Sequence, residues 1–227
     1  MHLPIGTLIN ALTVIVGSLI GLFLGKSIPP RIHQTVFQAI GLCTLFIGIQ
    51  MALKVEHLLL LIFALLGGAI VGEYFRLEEK FLAGCELLKR KCNSDSPTFA
   101  QGLLTAFLIF CVGSLTILGA LEEGINNNPS LLLTKATLDG FTAIALSASY
   151  GIGVLFSVLP LLIYQLGLTL LASNLKAFLT PVLVNQLTAV GGILIIGLGL
   201  NLLQIKEIRV TNLLPSLVLV VLLKYFL

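Results

Sequence analysis

Ser130-Leu-Leu-Leu-Thr-Lys-Ala-Thr-Leu-Asp-Gly-Phe-Thr-Ala-Ile-Ala-Leu146 is an apolar stretch with a lysine and an aspartate in its interior, whereas the other long apolar runs are almost free of charge. Lys135 and Asp139 are four residues apart, so on a helix they lie on one face and close enough to pair. Each charge costs roughly 2.5 to 3.5 kcal/mol at mid-membrane depth. The stretch therefore predicts a helix in a membrane bundle whose charges are compensated or used.

Composition is typical of a polytopic membrane protein. The 227 residues are 57% hydrophobic and only 10% charged, with a mean hydropathy of +1.09, whereas soluble domains are about 25% charged. The one long polar segment, 73–98, is too short for a soluble catalytic domain. The net charge of +3 is concentrated in short loops, which indicates topology. We therefore expect the lipid bilayer as a partner, and no nucleic acid.

Seven apolar runs approach the length of about 20 residues that a spanning helix needs. They are Ile5–Gly25, Thr35–Leu53, Leu58–Gly72, Phe99–Leu121, Tyr150–Ala172, Val182–Leu203 and Asn212–Leu227. Residues 130–147 are an eighth candidate, either a full helix buried in the bundle or one that stops partway. We expect an all-α, polytopic transmembrane bundle of seven to eight helices, forming a single domain over 1–227.

Charge distribution predicts the orientation. The polar segment carries Arg76, Lys80, Lys89, Arg90 and Lys91, so the positive-inside rule places it in the cytoplasm. Counting backwards then places the N-terminus outside, and counting forwards places loop 122–128 outside. If 130–147 crosses, Lys206 and Arg209 lie inside; if it is re-entrant, these assignments reverse. Charge favours eight crossings.

Residues 76–98 form an amphipathic segment that anchors at the interface or has a regulatory role.

The chain resembles itself at an offset of 151 residues. Gly41, Gly48 and Gln50 align with Gly192, Gly199 and Asn201. The pattern predicts three-helix units at 1–75 and 149–227, joined by the segment 76–98 and a central hairpin at 99–148. Two crossings in the hairpin make the units inverted, as in many secondary transporters; one crossing makes them parallel.

The pair Lys135 and Asp139 has three interpretations. It is a neutralised pair that fixes helix packing, or a site for a coupling ion, proton or charged substrate, or Lys135 snorkels to the outer interface and leaves Asp139 alone at depth. Other polar residues in the apolar spans would complete a site, although each more often serves a hydrogen bond between helices. The candidates are Asn10, Ser114, Thr116, Ser147 and Gln186. Glu122 and Glu123 have two interpretations: an acidic pair that attracts cations beside the outer loop, or, as favoured, a solvated loop face.

Other patterns indicate packing. Gly17, Gly21 and Gly25 form a small-xxx-small ladder that lets helix backbones approach closely, within one chain or in a homodimer. Pro160 predicts a kink.

With no phosphate loop, nucleophile elbow or HExxH motif, we expect no enzyme activity, no cofactor and no metal site.

The sequence resembles a bacterial inner-membrane family catalogued as domain of unknown function 554. The matching stretches are Gly6-Thr-Leu-Ile-Asn10, Gly41-Leu42 with Gly48, Cys111-Val-Gly-Ser114 with Gly119, Leu133 to Gly140, Gly151 to Ser157, and Gly191 to Asn201 followed by Leu214-Pro215. The resemblance implies a small bacterial inner-membrane protein of the transporter class, without a defined substrate.

Two functional hypotheses follow. The first is a small-solute or ion transporter or channel whose polar path is centred on Lys135 and Asp139. The second is a non-transporting membrane scaffold or partner-binding subunit in which the pair only stabilises the fold.

Overall fold

The computed structural model describes residues 4–26, 30–91, 96–175 and 179–226, and these residues form helices and connecting turns without strands. The helices are α1 Ile5–Lys26, α2 Pro30–Ala52, α3 Leu58–Tyr74, α4 Leu77–Lys91, α5 Phe99–Cys111, α6 Ser114–Asn126, α7 Ser130–Tyr150, α8 Gly153–Phe156, α9 Val158–Leu170, α10 Ala172–Leu175, α11 Pro181–Leu202 and α12 Pro215–Phe226, with a 3-10 turn at Val210–Leu213. The predicted all-α helical bundle is confirmed.

Four helices of the described residues are long and apolar enough to cross a membrane. They cover Ile5–Gly25, Ser130–Tyr150, Gly153–Leu170 and Pro181–Asn201. Two bent helix pairs raise the number to six if each pair is one span, with bends of 62° between α3 and α4 and 54° between α5 and α6. Residues 38–52 and 210–224 are shorter apolar helices. Because α7 is one continuous helix, it is long enough for a full crossing.

The chain folds into two compact units that are not contiguous in sequence. The first takes residues 1–33 and 96–180, and the second takes 34–95 and 181–227. Each unit therefore contains helices from both of the three-helix repeats that the sequence predicts.

In the first unit, α1 packs along α7 in a parallel arrangement. The contacts keep a constant spacing of 123 residues: Gly17 meets Gly140, Gly21 meets Ile144 and Gly25 meets Ala148. At all three glycines a Cβ atom would collide with the backbone of α7. Thr13 adds a hydrogen bond from its hydroxyl to the Ala136 carbonyl oxygen, at 2.9 Å. The small-residue ladder is thus a helix contact within this unit.

Two spans of the first unit are interrupted. Gly113 is in an extended conformation, with φ −76° and ψ 147°, and separates α5 from α6. Ser157 separates α8 from α9, where Pro160 cannot donate to the Phe156 carbonyl. The backbone of Ser157 stays in the α region, with φ −65° and ψ −15°, and Gly153–Leu170 forms one candidate span, so the kink at Pro160 stays a prediction. The Ser157 hydroxyl donates a hydrogen bond to the Val154 carbonyl oxygen, at 2.7 Å.

In the second unit, helices pair in antiparallel fashion. Gly68 of α3 packs against Ser216, and Gly72 packs against Asn212, immediately before α12. In the crossing of α2 and α11, Gly48 lies against Ile196 and Gly199 lies against Leu45. Leu60, Leu61, Ala64, Ala189, Val190 and Val220 form the buried core.

The amphipathic helix α4 belongs to the second unit and is bound to the 3-10 turn. The Glu78 amide donates to Asn212 Oδ1 at 2.7 Å, and the Thr211 amide donates to Glu78 Oε2 at 3.1 Å. One face of α4 buries Cys85. Arg76, immediately before α4, and Glu79, in its first turn, are exposed. This arrangement suits an anchor at a membrane interface.

Candidate functional site

Lys135 and Asp139 pair inside the first unit. Both project from α7, where they are only 4% and 5% exposed, and Lys135 Nζ donates to Asp139 Oδ2. The opposite face of α7 carries the exposed side chains of Leu138 and Phe141. At 1.5 Å per residue, Asp139 lies about 14 Å along the axis from the start of α7. Lys135 therefore points to its partner, and outward snorkelling does not describe this structure.

Asn10 joins α7 to α9 through its side-chain amide. Its Nδ2 donates to Asp139 Oδ2 at 3.1 Å and to Gln165 Oε1 at 3.1 Å. Asn10 and Gln165 are both fully buried. Three helices, α1, α7 and α9, thus meet at the aspartate.

A second buried carboxylate, Glu123, lies at the far end of the same group of side chains. It is 5% exposed and accepts hydrogen bonds from the Gly6 amide and from the Thr7 hydroxyl, the latter at 3.3 Å. Thr7 also lies 3.4 Å from the Thr169 hydroxyl of α9. We refer to Thr7, Asn10, Glu123, Lys135, Asp139, Gln165 and Thr169 as the polar cluster.

The polar cluster is imbalanced in charge and in hydrogen bonding. It holds two carboxylates, Glu123 and Asp139, but one ammonium group, Lys135. In addition, Asn10 Oδ1 and Gln165 Nε2 are buried without a hydrogen-bond partner among the described residues. Buried polar groups usually have partners, since leaving one unpaired costs about 1 to 3 kcal/mol. The cluster therefore carries one uncompensated negative charge, when all three groups are ionised, and two unsatisfied amide atoms.

The interrupted span of α5 and α6 lies beside the cluster. The Phe110 ring, one residue from the end of α5, has its centre 5.9 Å from Lys135 Nζ. The Thr116 hydroxyl, in the first turn of α6, donates to the Phe110 carbonyl oxygen at 2.8 Å. Irregular backbone at membrane depth is tolerated where it is buried in protein or lines a water-filled cavity.

Comparison with known proteins identifies the family. The model of a family described as protein of unknown function, DUF554, matches residues 5–225. The chain belongs to the DUF554 family. The uncharacterized membrane protein YdfK of Bacillus subtilis is 36% identical over 218 residues, which cover 93% of this chain and 92% of that protein. The uncharacterized protein YqgA of Escherichia coli is 36% identical over 220 residues, covering 95% and 94%. No solved structure matches.

Membership in DUF554 and the apolar helices agree on the location of the protein. One relative is named as a membrane protein, and the described residues include several helices able to span a bilayer. This DUF554 chain is a membrane protein.

The structure brings together three of the predicted site residues of this DUF554 chain and separates the others. Lys135, Asp139 and Asn10 are in the polar cluster, and Thr116 stabilises the neighbouring break. Ser147 lies two turns further along α7, against Gly21. The side chain of Ser114 lies outside the described residues.

Gln186 belongs to the second unit and has a local role there. Its Oε1 accepts from the amides of Glu56 and His57, at 3.1 and 3.2 Å. Its Nε2 donates to the His57 carbonyl oxygen at 2.6 Å. These bonds hold the turn before α3, where Asn185 also binds the Glu56 carboxylate at 2.7 Å.

Sequence reasoning missed Glu123, which it interpreted as part of a solvated loop face. The structure extends α6 to Asn126 and turns Glu123 inward, whereas Glu122 faces outward and bonds Asn126 at 2.9 Å. The helical register of α6 contained a signal for this inward orientation of Glu123. Glu123 follows Thr116 by seven residues, or two turns, so both lie on one face with Ala120, and all three are buried.

Proposed function

We propose that this protein is a small-solute or ion transporter or channel of the bacterial inner membrane, with a polar path centred on Lys135 and Asp139. One observation carries the proposal: seven polar side chains from four helices converge inside the first unit, and two of their polar atoms have no partner among the described residues. Ionisable residues at membrane depth are functional candidates by default because their burial is costly.

A structural role alone gives a weaker account of the cluster. Packing one helix against another requires no ion pair, and a buried pair is often no more stabilising than apolar residues of similar volume. Here a third ionisable residue, Glu123, is buried as well. The break between α5 and α6 beside it is typical of transporters, in which discontinuous helices border the binding site.

The crossing of α2 and α11 supports an inverted repeat. Adding 151 to Leu45 gives Ile196, and adding it to Gly48 gives Gly199. The contact between Leu45 and Gly199 and the contact between Gly48 and Ile196 therefore exchange with each other under the repeat. Such an exchange in an antiparallel pair is what a two-fold axis in the membrane plane produces, and transporters commonly have this symmetry.

Helix directions support eight crossings with the N-terminus outside. Because α1 and α7 pack in parallel, both helices enter the membrane from the same side. This agrees with the arrangement in which 130–147 is a full crossing. The basic residues of α4, including Lys89, Arg90 and Lys91, then lie in the cytoplasm. Loop 127–129 lies outside.

Thiol labelling tests the path without knowledge of the substrate. Cys43, Cys85, Cys92 and Cys111 are first replaced, and Asn10→Cys and Thr116→Cys are introduced singly. We expect the membrane-impermeant reagent 2-sulfonatoethyl methanethiosulfonate to label at least one of them, from one side of sealed vesicles. Phe141→Cys is the matched control, because it lies on α7 but on the exposed face, where lipid excludes the charged reagent.

The scaffold hypothesis predicts the opposite result. If the cluster only stabilises the fold, water does not enter it, and folded Asn10→Cys and Thr116→Cys proteins stay unlabelled from both sides. That outcome would overturn the proposed transport path.

A further inference from the structure

The charges of the polar cluster do not sum to zero. With Glu123 and Asp139 ionised and Lys135 protonated, the net charge is −1, and all three side chains are at least nine-tenths buried. A net charge held away from water is costly. One bound monovalent cation would neutralise the cluster.

We propose that this cation is a proton and that Asp139 binds it, so that Asp139 alternates between carboxylate and carboxylic acid while Lys135 stays protonated. The inference rests on the proposed transport function and names its coupling ion. The step is a simple proton transfer: an O–H bond of a hydronium ion breaks and leaves water, an O–H bond forms at Asp139, no electron is exchanged, and the cluster changes from a net charge of −1 to neutral.

The atoms around Asp139 favour a proton over a metal cation. Asp139 Oδ2 already accepts from the Lys135 ammonium and from Asn10 Nδ2, and Glu123 accepts from an amide and a hydroxyl. A metal ion needs several free oxygen ligands at once, and the neighbouring ammonium repels it. A proton needs one oxygen atom and one acceptor.

The two amide side chains provide that acceptor. In the ionised state Asn10 donates to Asp139 and to Gln165, which leaves Asn10 Oδ1 and Gln165 Nε2 unpartnered. Rotation of both amides by half a turn places Asn10 Oδ1 where it accepts from the protonated Asp139 and from Gln165 Nε2 at the same time. An amide oxygen has two lone pairs. The same three side chains therefore fit both protonation states: the rotation pairs Asn10 Oδ1 and Gln165 Nε2 and moves Asn10 Nδ2 and Gln165 Oε1 to the two positions without a partner among the described residues.

Every helix packed around Asp139 supplies a group that affects its protonation. Lys135 comes from α7, Asn10 from α1 and Gln165 from α9. From α5 come the buried Cys111 thiol and, next to it, Phe110, whose ring centre lies 5.9 Å from Lys135 Nζ. Glu123 of α6 is the second acidic group in the cluster.

Glu123 also indicates the side from which the proton arrives. Thr7 and Asn10 are three residues apart on α1, and each faces α9, so Thr7 with Thr169 and Asn10 with Gln165 form two successive polar contacts. Glu123 adjoins the first contact and Asp139 adjoins the second. This order leads from the end of α6, beside loop 127–129, to Asp139.

Infrared spectroscopy of the full-length protein in liposomes detects this proton directly. A protonated carboxylic acid has a carbonyl stretching band that a carboxylate lacks, and the band shifts in heavy water. The chain has only two aspartates, Asp95 and Asp139, so Asp95→Asn protein made with carboxyl-labelled ¹³C-aspartate reports Asp139 alone. We expect a titrating band that carries the isotope shift.

Two variants strengthen the assignment. Asn10→Leu removes the hydrogen bond that Asn10 makes to each form of Asp139. Because the bond to the charged carboxylate is the stronger of the two, the midpoint of the titration should rise, by up to about one pH unit. Thr188→Val is the control, because Thr188 bonds only the Val184 carbonyl oxygen of its own helix, and it should leave the midpoint unchanged. A band that does not titrate, or one that lacks the aspartate isotope shift and disappears in Glu123→Gln, would overturn the proposal.

The infrared and labelling experiments fail independently. If the Asn10→Cys or Thr116→Cys variant is labelled but Asp139 shows no titration, the proposal that Asp139 binds a proton is overturned. The proposed transport path is then unaffected. Absence of labelling in both variants would overturn the path itself.

Discussion

At the residue scale, the ion pair of α7 is the most sensitive feature of the polar cluster. Substitution of Lys135 by Met leaves the Asp139 carboxylate buried without its counter-charge, and we expect it to lower the free energy of unfolding by about 3 to 5 kcal/mol. The double substitution Lys135→Met with Asp139→Leu removes both charges and should cost less than Lys135→Met alone. Chemical denaturation in detergent measures both.

An exposed pair on the protein gives the comparison. Arg76 and Glu79 are 3.9 Å apart and largely exposed on both sides, so Glu79→Ala should change stability by less than about 1 kcal/mol. Equal losses for Lys135→Met and Glu79→Ala would show that the buried pair is hydrated.

Glu122 and Glu123 form a matched pair for a second prediction. Glu123→Gln weakens the acceptor of the Gly6 amide and the Thr7 hydroxyl, so we expect a loss of about 1 to 3 kcal/mol. Glu122→Gln changes a half-buried side chain at the surface that contacts Asn126 and should stay within about 0.5 kcal/mol. A larger effect at Glu122 would contradict the inward orientation of Glu123. Thermal unfolding of the two variants decides.

The same two residues show the limit of sequence reasoning at this scale. Adjacent glutamates before an asparagine-rich loop give no local reason to separate an inner from an outer side chain. The distinction depends on α6 continuing to Asn126, where Asn127 ends it in a left-handed conformation with φ 53°. Lys135 and Asp139 were easier to find. A charged residue within an apolar run stands out in the sequence even when its neighbours in the fold are not known.

At the element scale, the contact of α1 with α7 leaves no space for a side chain at Gly21. A Cβ there would collide with the Ile144 carbonyl oxygen and crowd Ser147, so Gly21→Ala should force the helices apart and cost about 1 to 3 kcal/mol. Gly167→Ala is the control, because Gly167 of α9 has open space around its Cβ position. There, the higher helix propensity of alanine should stabilise by up to about 1 kcal/mol. Unfolding midpoints of the two variants that shift equally would contradict the close contact.

Helix α4 permits a prediction on pH. Burial and, to a smaller extent, the adjacent carboxylate of Glu86 raise the pKa of the Cys85 thiol to about 11, against the opposing effect of Lys89. Since the thiolate is the reactive form, the rate of alkylation of Cys85 should rise about tenfold per pH unit from neutral pH and level off near pH 11. The measurement uses protein in which Cys43, Cys92 and Cys111 are replaced. A plateau below about pH 9 would show that α4 leaves its position.

Helices α1 and α11 were predictable because each is a long apolar run with no competing signal, whereas the charges in 130–147 left open whether α7 is a full helix or stops partway. The break between α5 and α6 was not predicted, although Val112-Gly113 lies within a run that reads as one span. Small residues in membrane helices serve close packing as often as they interrupt the helix. The neighbouring groups decide between these uses, and here Thr116 bonds the Phe110 carbonyl oxygen that the break exposes.

At the scale of the whole molecule, the proposed sequence repeat and the spatial units divide the chain differently. The proposed repeat relates α2 to α11 and α3 to α12, and each of these pairs lies within the second unit. Gly48 and Gly199 hold corresponding positions, so Gly48→Leu and Gly199→Leu should destabilise to a similar extent, each forcing a side chain into the partner helix. Detergent unfolding of both variants measures this. A loss at only one of them would contradict the proposed inverted symmetry.

Reporter fusions test the predicted topology, in which both termini lie outside and α4 lies in the cytoplasm. The parallel contact of α1 and α7 requires Gly25 and Gly151, at the ends of these helices, to lie on the same side. Fluorescent-protein fusions after Gly25, Lys91 and Gly151 should therefore fluoresce in cells, because the positive-inside rule assigns that side to the cytoplasm. Alkaline phosphatase fused after Asn127 and after the last residue should be active. Cytoplasmic fluorescence after the last residue would instead mean an odd number of crossings, and a phosphatase active after Gly151 would be incompatible with the parallel packing of α1 and α7.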